Sequence, residues 1–183
     1  MNYLVTLLLF ALLSASATAQ QGRVRLIHPE PRNLVAVSVS RVNDVHASFA
    51  GSQWVTGTVY GRWPGGALSK QFKDLDVIFV PDSATAAALP HLNITHETGT
   101  NRHTVTVVDL LNGLEALRMA VSPDQYRRLL ERRVNHVRAT GRFLIESYVV
   151  GVECDAPWAR ARLVGAELPE QLAVRHIAIP ETC

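Results

Sequence analysis

SPDQYRRLLERRVNHVRATGRFLIE, residues 122–146, changes its hydrophobic period partway along, and that change decides the fold. Ser122 is a good N-cap, Pro123 suits the first helical position, and Gln125 stands where a capping box places Glu or Gln. Tyr126, Leu129, Leu130 and Val134 follow at helical spacing and predict one buried face. Asp124, Arg127, Arg128, Glu131 and Arg132 take the other face, where Asp124 can pair with Arg128 one turn on. Beyond Val134 the period falls to two. Val137, Ala139, Gly141, Phe143 and Ile145 alternate with Arg138, Thr140, Arg142, Leu144 and Glu146, as in a strand buried on one side. Gly141 inside that strand predicts a bulge or sharp bend.

Working outward, residues 53–62 form a strand with Val55, Gly57 and Val59 on one face and Trp54, Thr56, Thr58 and Tyr60 on the other. Residues 75–80 and 104–110 are the next two strands, the latter with Val105 and Val107 on one face. Between them lie a short helix over 83–89, capped by Asp82 or Ser83, and a polar loop over 91–102. Asn112-Gly113 signals a turn, and residues 114–121 read as a strand candidate. After the long strand come a turn at 155–157, a strand over 158–168 and a short one over 172–179. Upstream, residues 20–33 are an extended lead-in, 34–42 an extra strand or a segment lying over one end, and 41–49 a short helix closed by Gly51. Three strands, a helix and two strands between 53 and 168 give the order of an OB-fold. The expected fold is mainly β, an OB-like five-stranded partly open barrel with N- and C-terminal extensions. A duplication relating the two Thr-Gly strands is the other reading, but the intervening segments do not align.

Phe49-Ala50-Gly51 before Val55-Thr56-Gly57, and later Tyr126 with Leu129 before Val137 with Gly141, resemble the pattern of small exported bacterial domains of OB type. The resemblance covers residues 35–168. It implies a fold rather than a function.

Residues 1–19 read as a signal peptide: an apolar run over 4–13, then Ala17-Thr18-Ala19 as the cleavage site ahead of Gln20, although the n-region carries no Lys or Arg. The apolar run is short of the roughly 20 residues of a membrane span, so no span is expected in the mature chain. The expected location is periplasmic or secreted. Residues 20–183 suit a single domain. Cys154 and Cys183, the only cysteines, are most simply a disulfide in an oxidising compartment. A formal net charge of +2 does not by itself imply a polyanionic partner.

Arg127, Arg128, Arg132, Arg133, Arg138 and Arg142, with Arg160 and Arg162, form the most visible charge feature. They are candidates for an anionic partner surface, either an anionic component of the cell envelope or an acidic envelope protein. The alternative is a solvated face partly neutralised by Asp124, Glu131 and Glu146. Trp54, Tyr60, Trp63 and Trp158 are a candidate aromatic patch, lining a groove or interface or packing under the N-terminal segment. His91, His96 and His103 are weak metal candidates, because their spacing is neither helical nor that of alternate strand positions. They read as surface histidines, and no metal or cofactor is expected. Nucleic acid is not expected either, since Asp76, Ile78, Thr104 and Thr106 offer no stacking platform.

No Gly-x-Ser-x-Gly, helical His-Glu-x-x-His or phosphate-cradling glycine loop is present. Glu153 and Asp155 flank Cys154 as a pair of carboxylates better read as a polar turn. These features predict a non-enzymatic binding or accessory module of the bacterial envelope. The alternatives are a small periplasmic hydrolase-like enzyme and an inhibitor or subunit of an envelope complex.

Overall fold

The computed structural model describes residues 23–27, 33–40, 45–63, 75–96, 99–101, 104–153 and 156–167, without the side chains of 23–24, 94–96 and 99–101. The strands are β1 (Arg23–Ile27), β2 (Val35–Ser40), β3 (Val45–Ala50), β4 (Ser52–Arg62), β5 (Asp76–Pro81), β6 (His91–His96), β7 (Gly99–Asn101), β8 (Val108–Leu110), β9 (His136–Glu153) and β10 (Ala156–Glu167). Three helices, α1 (Ser83–Ala88), α2 (Gly113–Ala120) and α3 (Pro123–Leu130), interrupt them.

Five of these strands close a ring. β4 pairs with β5, β5 with β8, β8 with β10, β10 with β9, and β9 returns to β4. Every pairing is antiparallel except β8–β10, which is parallel and joins only Arg160 to Asp109 and Ala161 to Leu110. With α2 and α3 between the third and fourth ring strands, the chain is a mainly β, OB-like barrel. β3 and β2 extend the sheet beyond β9, and β1–β6–β7 form a second, three-stranded sheet.

The alternation read from residues 53–62 and 137–145 holds side chain by side chain. Val55, Val59, Val137, Ala139, Phe143 and Ile145 are buried. Inside the ring Phe79 meets Phe143 edge-on at 5.8 Å. Burial of each such side chain contributes on the order of 2 kcal/mol. The helix start is as expected: Ser122 accepts from the Gln125 N–H at 3.3 Å and the Gln125 side chain accepts from the Ser122 N–H at 2.9 Å. The same helix ends in a Schellman motif, with Arg133 N–H donating to the Arg128 carbonyl and Arg132 N–H to the Leu129 carbonyl. Arg132 holds the left-handed position at φ 57, and its guanidinium lies over the Trp63 ring at 4.4 Å.

Four local expectations are corrected. The strand expected over 114–121 is instead helix α2 with Val121 as its C-cap: Leu, Glu, Ala, Arg and Met are all good helix formers, and Ala116, Leu117 and Ala120 turn to one buried face. Residues 45–50 are strand β3, not a helix, because β9 supplies a distant partner through Val45–Val152 to Ser48–Val149. Residues 91–96 and 99–101 form β6 and β7 rather than a loop; the Leu92–Ile94 alternation pairs with β1. The third ring strand is confined to Val108–Leu110, with residues 104–107 in no regular element.

The bend is also displaced. Gly141 sits in unbroken register opposite Gly57. β9 instead departs from regularity at Ser147, whose φ is 51, where its partner changes from β4 to β3. Opposite lies Gly51 at φ +95, the extra residue on the β3–β4 side. A Cβ there would stand 2.2 Å from the Asn33 carbonyl oxygen, so glycine is required both for conformation and for the approach of the segment carrying buried Leu34. Past this offset Tyr148 is fully buried, tilts against Phe49, and donates its hydroxyl to the Pro90 carbonyl at 2.9 Å. Burial pushes that hydroxyl well above the ordinary tyrosine range.

Candidate functional site

The barrel is sealed unequally along its β8–β10 seam. Below the two parallel pairs, Leu111 N–H donates to the Ala161 carbonyl at 2.9 Å. Asn112 then acts as a surrogate stretch of backbone: its Nδ2 donates to the Leu163 carbonyl at 2.8 Å and its Oδ1 accepts from the Leu163 N–H at 3.0 Å. That amide is therefore spent on β10, and α2 starts without a side-chain cap. Leu117 and Leu129, both fully buried, come down from α2 and α3 onto Gly61, where a Cβ would lie 2.8 Å from Leu117. Trp63 Nε1 donates to the Leu129 carbonyl at 3.0 Å and fixes this plug.

Above Asp109 the seam opens. No pairing joins residues 104–107 to residues 156–159, and no backbone–backbone hydrogen bond is made by residues 104–107 among the described residues. A pocket of about 230 Å³ fills the opening. Its walls are Leu92, Val105, Val107, Val150, Pro157 and Trp158, with His91, Thr104, Thr106 and Asp109 as the polar groups. The volume is below the range of drug-sized sites and suits one side chain or one small ring.

Trp158 owes its position to a hairpin. The β9–β10 register pairs Ala156 with Glu153 and so sets Trp158 opposite Gly151. A Cβ on Gly151 would meet Trp158 Cζ2 at 2.1 Å, so the indole rests directly on the glycine backbone. Arg160 lies over the same indole at 4.7 Å. His91, also in the lining, donates from Nδ1 to the Leu89 carbonyl at 3.0 Å.

The two candidate surfaces predicted from sequence interleave but do not merge. Each tryptophan carries one arginine: Arg132 on Trp63, Arg142 on Trp54 at 4.8 Å, and Arg160 on Trp158. These stacks stand at the plug, on the β4–β9 outer face and at the seam mouth, respectively. Tyr60 is half-buried on β4 opposite Arg138. Several arginines are paired: Arg127 with Asp124 at 2.6 Å, Arg133 with Glu131 at 2.8 Å, Arg142 with Glu167 at 3.1 Å, and Arg162 with Glu115 and Glu146 at 3.8 Å. The expected partner of Asp124 was Arg128; its neighbour Arg127 takes that place. Arg138 is exposed. Such exposed pairs add little stability, but they lower the positive potential an anion would meet.

Of the three histidines, His91 lies at the pocket, the His96 side chain and all of His103 lie outside the described residues, and no group of three His, Cys, Asp or Glu forms among the described residues. Cys154, Asp155 and Cys183 also lie outside them. Away from the seam, Asp82 caps α1, accepting from the Thr85 N–H at 2.7 Å and from the Thr56 hydroxyl. Those hydrogen bonds, Thr56 first, hold its carboxyl below the usual range.

Sequence reasoning missed Gly151, Asp109 and the bare segment 104–107. A signal for Gly151 was present: centring a hairpin on residues 154–155 places this strand-interior glycine opposite Trp158, and glycine inside a strand marks close approach. The barrel ring and its seam define an OB-like β-barrel domain with one open mouth. Compared with known protein families, curated proteins and solved structures, the chain matches none. Among the described residues no helix is long and apolar enough to cross a membrane.

Proposed function

We propose that the chain is an exported, non-enzymatic binding or accessory module of the bacterial envelope, and that it takes its partner at the open mouth of the seam. The observation that carries this reading is the pocket of about 230 Å³ between residues 104–107 and Trp158. Its walls are mainly apolar, and its Trp158 rests on the Gly151 backbone and carries the Arg160 guanidinium over its ring. A preformed concave apolar site with a few polar groups is the usual form of a recognition pocket. The occupant that fits is an apolar side chain of an envelope protein, with Asp109 in the lining to orient it.

The test is a photo-crosslinking amino acid placed at position 107 on the pocket lip and, separately, at position 140 on the outer face, in the full chain expressed in its own cell envelope. The expected result is a discrete adduct with another protein from position 107 that Trp158→Ala abolishes, and none from position 140. Equal labelling from both positions, or no intermolecular adduct from position 107, overturns the reading.

A further inference from the structure

The seam mouth has a second property besides its pocket: unpaired backbone. Residues 104–107 lead directly into β8, yet none of the four makes a backbone–backbone hydrogen bond among the described residues. Val105 is only 7% exposed, so the strip is held against the core by its side chain. Across the gap, β10 pairs only with β9 over residues 156–159. Backbone N–H and C=O groups left open in this way are satisfied by water or by an added strand. An extended peptide can satisfy them while it turns every second side chain to the same face.

The second observation is a charge. Asp109 is the one carboxylate in the pocket lining, which holds no lysine or arginine. It is exposed and enters no ion pair among the described residues. Its cross-strand neighbour Arg160 is drawn over the Trp158 indole instead. The lining therefore presents a negative charge with no internal counter-ion, and a cation on the ligand is its complement. Val107, 41% exposed on the pocket lip, and Asp109 stand two residues apart. An anchor seated beside Val107 thus places the ligand's cation two residues further along its own strand.

We propose that the mouth recognises its partner by strand addition. An extended segment of the partner pairs with residues 104–107, seats one aliphatic side chain in the pocket, and carries a lysine or arginine two residues away against Asp109. This rests on the binding reading above and deepens it by naming the chemistry of the partner. Affinity comes from main-chain hydrogen bonds, selectivity from the pocket and the carboxylate. A knob offered by a partner helix would fill the pocket but leave the strip unpaired.

Selection of random short peptides displayed on phage, against the immobilised full-length protein with Trp158→Ala as counter-target, tests it. The enriched peptides should share an aliphatic residue with Lys or Arg two positions away. Methylating the amide nitrogens of such a peptide one at a time should weaken binding about tenfold at alternate positions, the period of a paired strand edge. Exchanging its basic residue for Glu should weaken binding about tenfold in the wild-type chain and hardly at all in Asp109→Asn. No enrichment over Trp158→Ala, a consensus without a basic residue, or N-methylated peptides that all bind as tightly as the parent each overturn the proposal. The crosslinker at position 107 keeps the two readings apart. A Trp158-dependent adduct without such peptides leaves the pocket reading standing and removes strand addition, whereas loss of the adduct removes both.

Discussion

At one end of the barrel two helices lower Leu117 and Leu129 onto Gly61, and Asn112 ties off the last gap between β8 and β10. At the other end the same two strands part after two residue pairs and enclose a pocket beneath Trp158. The closed end is filled by single side chains that reach across from other elements: Leu117 and Leu129 onto Gly61, Trp63 onto the Leu129 carbonyl and Asn112 onto Leu163. The open end is assembled from four separate stretches, around residues 91, 106, 150 and 158. The difference is that side chains close one end where backbone pairing stops, whereas at the other end none does so among the described residues.

Substitutions can break this contrast. The largest effect is expected from Leu129→Ala, which leaves a cavity in the plug and should cost about 3–4 kcal/mol in urea unfolding. A loss below about 1 kcal/mol would mean that the plug does not hold the barrel shut. Asn112→Ala strips both partners from Leu163 and should cost about 2 kcal/mol. Its signature is faster hydrogen exchange at Leu163 without a change at Val55. At the open end, Gly151→Ala drives a methyl into the indole and should cost about 1–2 kcal/mol through overpacking. Near-ultraviolet circular dichroism should show Trp158 losing its fixed position, and an unchanged spectrum would contradict the close approach. Ser122→Ala removes half of the capping box, for about 1 kcal/mol.

The smallest effects are expected at Arg132 and Asp82. Arg132→Gly relieves a left-handed backbone strain of about 1 kcal/mol. It also gives up a stack on Trp63 worth about as much, so the melting temperature should barely move. Asp82 has its folded-state pKa lowered by hydrogen bonds from Thr56 and Thr85. Its contribution is therefore fully present above the ordinary carboxyl pKa and is lost as pH falls through the depressed folded value. Acid titration of stability should be shallower in Asp82→Asn than in the wild-type chain, and parallel curves would remove Asp82 from the account.

What could be read beforehand is what short-range patterns carry. The capping box at Ser122 and the alternation from Val55 to Tyr60 and from Val137 to Ile145 are short-range patterns, and the barrel follows them. Glycine is the usual marker of a bend inside a strand, and on that ground the sequence points to Gly141. The switch in β9 falls at Ser147, a residue without a distinguishing local signal, because two partner strands meet there. β3 and β6 were obscured for a related reason: their partners lie about a hundred and about seventy residues away along the chain. The tryptophans and arginines were legible as two groups, but their sorting into three separate stacks depends on where β4, β9 and β10 end.

Asn112 also bears on how the barrel forms in time. Its two bonds to Leu163 span 51 residues, and the helical pair and both long strands must be in place before they can close. Contacts of such separation carry a large loop-closure cost and belong late in assembly. Asn112→Ala should then leave the folding rate nearly unchanged and put its effect into faster unfolding, making this one amide the latch that sets how long the closed barrel lasts.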